Sequence, residues 1–127
     1  MSESITREVR IRVAPRYIPE RSDPRGNHWF FAYTVDITNL GSCAVTLMRR
    51  AWVITDGMGK TETVEGPGVV GEQPKLEPGQ TFRYTSACPL HTSMGTMHGH
   101  YRMVTEDGIS FDAVINPFTL VDPESLN

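Results

Sequence analysis

His28-Trp29-Phe30-Phe31-Ala32-Tyr33-Thr34-Val35-Asp36-Ile37-Thr38-Asn39 decides the fold class. Trp29, Phe31, Tyr33, Val35 and Ile37 recur at every second position and alternate with smaller or more polar neighbours. That period, with so many aromatic and β-branched residues, predicts a half-buried β-strand.

Working downstream, Asn39-Leu40-Gly41-Ser42 turns the chain into a second long strand, Ala44 to Thr55, with Val45, Leu47, Trp52 and Ile54 as its apolar members. Arg49-Arg50 interrupts the alternation, which predicts a β-bulge or a bend there. Asp56-Gly57-Met58-Gly59 is a turn into Lys60 to Val64, whose lysine and glutamate suit an exposed edge. Thr81 to Ala87 alternates Phe82, Tyr84 and Ser86 against Arg83 and Thr85, and Cys88-Pro89-Leu90 is expected to break that strand. Leu90 to Gly99, rich in small residues, histidine and methionine, reads as a loop suited to binding. His100 to Glu106 and Ile109 to Ile115 flank Asp107-Gly108, the strongest short hairpin signal in the chain. Asn116-Pro117-Phe118 is expected to end the regular pairing, with a frayed tail from Asp122. Upstream, Thr6 to Val13 places Val9, Ile11 and Val13 on one strand face, and Pro15 to Gly26 reads as a loop.

Seven or eight short strands with no helical period predict an all-β fold, an antiparallel β-sandwich of the immunoglobulin or fibronectin type III-like class. Cys43, Trp52 and Cys88 do not make the Cys…Trp…Cys arrangement of an antibody-type domain, which favours the fibronectin type III-like form. The 127 residues fit one domain, 1–127 with a core of about 5–121. A chain of this size buries roughly two thirds of its unfolded surface.

Twelve basic against 15 acidic residues give a net charge of −3 and a pI near 5.8. This balance argues against broad electrostatic binding to nucleic acid or to an acidic membrane. No apolar run approaches the roughly 18 residues of a membrane span. The start, Met1-Ser2-Glu3-Ser4-Ile5, lacks the basic-then-apolar pattern of a signal peptide, and Cys43 and Cys88 read as free thiols, so a cytoplasmic location is expected.

Gly66, Gly68 and Gly71 form a G-x-G-x-x-G spacing and are the candidate phosphate-binding residues. A dinucleotide fingerprint also needs a helix immediately after the glycines. Gln73-Pro74-Lys75-Leu76-Glu77-Pro78-Gly79 cannot open one. A β-loop can still bind pyrophosphate through a nest of N–H groups, with Lys75 or an arginine nearby. The competing reading is that the glycines serve positive φ or close packing. His98 and His100 lie on one strand face, where His91 or Cys88 would have to join them to hold cobalt or zinc, but two histidines make a weak set and no metal site is assigned. Ser86, Ser93, Thr85, Cys88 and His91 supply nucleophiles and a base without a motif that brings them together, so no catalytic residue or cofactor is expected. Trp29, Trp52, Phe31 and Tyr33 read as core, and Arg49-Arg50 as a solvated bulge.

Phe31-Ala32-Tyr33-Thr34-Val35, Asn39-Leu40-Gly41, Trp52 to Gly57, Gly66-x-Gly68-Val69-Val70-Gly71-x-Gln73-Pro74, Tyr84-Thr85-Ser86 and Gly95-Thr96-Met97-x-Gly99-His100-Tyr101-x-Met103 together resemble the ApaG domain family, in the family's order and over nearly the whole chain. The resemblance implies a fibronectin type III-like sandwich without an established catalytic activity. The family's name reflects an association with diadenosine tetraphosphate hydrolase, and the family is linked to cobalt resistance and magnesium efflux. Similar domains occur in an F-box protein and in a DNA-polymerase-delta-interacting protein. That reuse implies a non-enzymatic module for a protein partner; the alternative it leaves is a pyrophosphate or nucleotide ligand at Gly66, Gly68 and Gly71.

Overall fold

The computed structural model describes residues 1–126. Nine strands follow one another as β1 (Ser2–Thr6), β2 (Val9–Tyr17), β3 (Trp29–Asn39), β4 (Val45–Asp56), β5 (Thr61–Pro67), β6 (Lys75–Leu76), β7 (Thr81–Leu90), β8 (Met94–Thr105) and β9 (Ser110–Val121). They form two antiparallel sheets packed as a sandwich, one ordered β1-β2-β3-β7 and the other β5-β4-β8-β9, with β6 paired to β4.

The alternation in β3 becomes its burial: Phe31, Val35 and Ile37 are fully enclosed and Tyr33 nearly so, while Ala32, Thr34 and Asp36 point outward. Val9, Ile11 and Val13 of β2 lie beside them, facing Leu47, Tyr101, Met103, Ile115 and Leu120 of the second sheet. Trp52 sits at the centre of an aromatic group, with ring centroids 5.3 Å from Tyr33, 6.2 Å from Tyr101 and 5.9 Å from Phe118. Such tilted and edge-on pairs add roughly 0.5–1.5 kcal/mol each beyond their buried area.

Several strands run further than the sequence suggests. β1 is an additional strand, joined to β2 through Arg7 and Glu8, which both have positive φ (44° and 67°) without being glycine. β2 continues through Pro15 to Tyr17, and short 3-10 turns at Pro19–Arg21 and Pro24–Gly26 follow it. β7 carries on through Pro89, because β7 is an edge and the missing N–H interrupts no ladder on its open side. Much of the expected binding loop at 90–99 is the start of β8. β9, also an edge, passes Asn116-Pro117 by a register shift opposite Met97 and Gly99 and pairs on to Val121. The tail forms a 3-10 turn, Pro123–Leu126, anchored where Asp122 N–H donates to Ser93 O over 2.9 Å. Asn127 of the expected frayed tail lies outside the described residues.

The two sides of the sandwich differ. On one, β1 lies along β9: Ser4 Oγ donates to Val114 O, Val114 N–H donates to Thr6 Oγ1 (3.1 Å) and Asn116 Nδ2 donates to Glu3 O (2.8 Å). On the other, no hydrogen bond among the described residues joins β5 to β7. The segment that follows β5, with Gly68 and Gly71 of the glycine spacing, covers that side with its buried Val69.

Candidate functional site

β5 ends where Gly66 pairs with Arg50 and Pro67 with Arg49. The chain then folds back on itself: Val69 N–H donates to Glu72 O (2.8 Å) and Glu72 N–H donates to Val69 O (2.9 Å). Val70 and Gly71 sit at the tip with φ of 45° and 80°, the geometry of a tight two-residue connection. Val70 is a β-branched residue in the left-handed region, an uncommon and strained placement. Gly68, with φ 60°, is held against β4 by its N–H, which donates to Met48 O (2.9 Å), and Gln73 Nε2 donates to the same carbonyl (3.1 Å). Val69 is buried and plugs the open side.

The three glycines have three different reasons. At Gly66 a Cβ would lie 3.1–3.3 Å from the Arg50 guanidinium. At Gly68 it would overlap the Glu72 carbonyl. At Gly71 nothing lies within 4 Å, and only φ selects glycine. Of the loop's N–H groups, those of Gly68, Val69 and Glu72 bond to backbone carbonyls and Pro67 has none, which leaves those of Val70 and Gly71 without a backbone partner among the described residues.

Arg50 is not the solvated bulge residue expected from the sequence. The register of β4 shifts between Leu47 and Arg49, and Met48 is the bulged residue. Val45 and Leu47 point inward at odd positions, whereas after the bulge Trp52 and Ile54 do so at even ones. Arg50 shares their phase and turns in, half-buried, while Arg49 stays exposed. The change of parity between Leu47 and Trp52 was the signal that could have found it. Arg50 Nη1 donates to Pro67 O (3.0 Å) and Gly68 O (2.9 Å), so the guanidinium ties the loop to the sheet.

Beneath the loop is a chamber of about 250 Å³, lined by Tyr33, Arg50, Trp52, Val69, Val70, Gly71, Tyr84 and Ser86. The Tyr84 and Tyr101 hydroxyls bond to each other under it. Burial raises the pKa of Tyr33, Tyr84 and Tyr101, and the nearby Arg50 charge acts in the opposite direction on each. All three remain protonated hydroxyls at neutral pH. A second cleft of about 230 Å³ opens further along the same side, between Ile54, Asp56, Lys60 and Glu62 and the Pro89–His91 end of β7.

The remaining candidates are dispersed. Burial, with the Glu62 charge nearby, pushes the Cys88 thiol up to about 11, which keeps it from acting as a ready thiolate. His91 Nδ1 is 3.3 Å from Asn27 O, Thr85 pairs with Thr34 (2.9 Å), and Ser93 lends its carbonyl to Asp122. His100 Nε2 lies 3.8 Å from Asp112, which also accepts from Arg102 (2.8 Å), and His98 is exposed. Among the described residues no three His, Cys, Asp or Glu side chains converge as a metal-holding group. Gly99 between the two histidines fits a close approach, since a Cβ there would overlap the Ala51 carbonyl.

A sequence profile of the ApaG domain matches residues 19–105. The chain is 54% identical to a Protein ApaG of Beijerinckia indica over 98% of its own length and 96% of that protein's, and 50% identical to a Protein ApaG of Bordetella pertussis over 94% and 92%. A crystal structure of a Bordetella pertussis protein described as a putative ApaA protein superposes with a TM-score of 0.89 at 51% identity, covering 91% of this chain and 94% of that one. The profile match, the identities over nearly the full chain and the superposition agree: the chain belongs to the ApaG domain family.

Proposed function

We propose that the chain is a non-catalytic binding module that takes a protein partner along the open side of the sandwich, between β5 and β7. The observation that carries this is the asymmetry of the two sides. β1 and β9 are laced together by side-chain hydrogen bonds, while β5 and β7 leave two clefts between them. An open strand edge offers N–H and C=O groups to an extended segment, and the clefts offer places for alternate side chains. The free thiols Cys43 and Cys88 suit a reducing compartment, and we place the module in the cytoplasm. The family's link to cobalt resistance and magnesium efflux then falls to the partner, reached through this surface.

Site-specific photo-crosslinking in cells tests the reading. A crosslinker at Thr85 on β7 should give discrete protein adducts, and one at Ile5 on the laced side should not. Equal adduct patterns at the two positions would remove the open side from consideration.

A second reading has one observation in its favour. The Val70 and Gly71 N–H groups at the loop tip carry no backbone partner among the described residues, and the Arg50 charge stands behind them. Two such donors are the start of an anion nest. A pyrophosphate-containing nucleotide held by the loop of Gly66, Gly68 and Gly71 should give saturable shifts of those amides with pyrophosphate, ATP or diadenosine tetraphosphate, with or without magnesium or cobalt. Amides unmoved at millimolar ligand exclude it.

A further inference from the structure

Arg50 is a half-buried cation without a carboxylate partner. Of the ion pairs among the described residues, which join Arg12 to Glu3, Lys75 to Glu77, Arg83 to Asp36, and His100 and Arg102 to Asp112, none includes it. Glu65 and Arg50 both border a smaller cleft of about 140 Å³, together with Arg49, His100 and Arg102, but the two make no ion pair across it. A charge drawn partly out of water is ordinarily compensated by an opposite one. Here compensation comes from two carbonyls, both served by Nη1, out of a group with five N–H donors.

The inner side of that guanidinium faces the chamber. Tyr33, Tyr84 and Ser86 add hydroxyls, and Trp52 adds an apolar wall. The chamber's 250 Å³ has room for a body the size of an amino acid or of benzoate. Among the described residues, Arg50 is the only charged one lining it. A dianionic phosphate or a pyrophosphate would therefore remain under-neutralised there, whereas a single carboxylate matches one guanidinium in charge and in planar geometry.

We propose that the chamber beneath the Gly68–Glu72 segment is a binding site for a small monocarboxylic acid, its carboxylate paired with Arg50 and its apolar body against Trp52 and Tyr33. The hydroxyl of Ser86 stands on the β7 wall to serve the second carboxylate oxygen. Val69 and Val70 form the roof, and the strained tip at Val70 is the part of the wall best placed to lift. The chamber is one of the two clefts on the side given above to the partner, but benzoate binding is read on the isolated chain and partner capture by crosslinking, so a failure of either leaves the other standing.

The test is an NMR titration of the full chain at pH 7 and fixed ionic strength with sodium benzoate, benzamide and inorganic phosphate as probes. Benzoate should give saturable shifts of Arg50 Nε–H, the Trp52 indole N–H and the Val69 to Gly71 amides, with a dissociation constant on the order of 1 mM or tighter. Benzamide, its neutral isostere, should bind at least about tenfold more weakly, the effect of losing about 1.4 kcal/mol. Arg50→Gln should abolish the benzoate shifts, but Arg50 also holds the loop. Ser86→Leu fills the chamber from β7 while keeping the bonds of Arg50 to the loop carbonyls, and should abolish them too. Benzoate leaving Arg50 and Trp52 unmoved, benzamide binding equally, phosphate moving the loop amides where benzoate does not, or Ser86→Leu retaining benzoate would each overturn the proposal. If Ser86→Leu does not fold, the comparison of benzoate with benzamide on the unmodified chain decides alone.

Discussion

At Gly68 a side chain meets two obstacles at once, a φ of 60° and the Glu72 carbonyl, and the second cannot move without breaking the paired hydrogen bonds between Val69 and Glu72. At Gly71 only φ opposes a side chain, and at Gly66 the obstacle is the far end of a flexible arginine. The alanine series therefore has a fixed order in urea denaturation. Gly68→Ala should cost about 3 kcal/mol or more, Gly71→Ala about 1 kcal/mol, the usual left-handed penalty, and Gly66→Ala less than that. A phosphate loop would rank the glycines by ligand affinity instead, so equal stability losses at the three positions would count against the structural assignment. Gly66→Ala should still shift the Arg50 side-chain resonances, because the new methyl group lies 3.1 Å from Nη2. At this scale the sequence was partly legible. The spacing marked the loop, but which glycine answers to packing and which to backbone angle depends on where Glu72 and Arg50 stand across the fold.

Along the strands, the lacing of β1 to β9 rests on a few side-chain hydrogen bonds, each worth on the order of 1 kcal/mol. Thr6→Val with Asn116→Ala should leave β3 and β7 protected in hydrogen exchange while β1 amides lose roughly tenfold or more of their protection. Unchanged β1 exchange would mean that the ladder to β2 alone holds that strand. In the opposite sheet, Gly99→Ala should cost several kcal/mol, since β8 pairs with β4 across Ala51 and its carbonyl has no room to retreat. The strands that announced themselves, β3 and the β8–β9 hairpin, combine period-two burial with a recognised turn. β1 did not, because its turn to β2 uses Arg7 and Glu8 at positive φ where glycine or asparagine is the usual sign. The continuations through Pro89 and Pro117 were hidden for another reason. Proline reads as a breaker unless the strand is known to be an edge, and edge position is a property of the sheet. Arg50 illustrates the same dependence, for its inward turn follows from a bulge at Met48 that reverses the phase of everything after it.

For the molecule as a whole, the buried hydroxyls and thiol on the open side set a limit at alkaline pH. Burial raises the folded-state pKa of Cys88 from 9.0 to about 11, and raises those of Tyr33, Tyr84 and Tyr101 above their ordinary 10.0. The folded chain keeps these protons where the unfolded chain releases them, so the unfolded state binds fewer protons and stability falls as pH rises. The sign is fixed by the direction of the shifts: the contribution is fully present below pH 9, begins to fall as the unfolded thiol ionises, and falls more steeply above pH 10 as the tyrosines join. Each group that stays protonated in the fold contributes a slope of about 1.4 kcal/mol per pH unit. Urea midpoints measured from pH 7 to 11 should stay nearly level to about pH 9 and then drop. Tyr84→Phe should flatten the drop above pH 10 and lower stability at pH 7, because Tyr101 loses its hydroxyl partner in the core. A flat profile to pH 11, or one that Tyr84→Phe leaves unchanged, would show that water reaches these hydroxyls through the open side. The same comparison repeated with benzoate present should raise the midpoints at pH 7 if the chamber closes over a carboxylate, since a ligand that binds only the folded chain stabilises it.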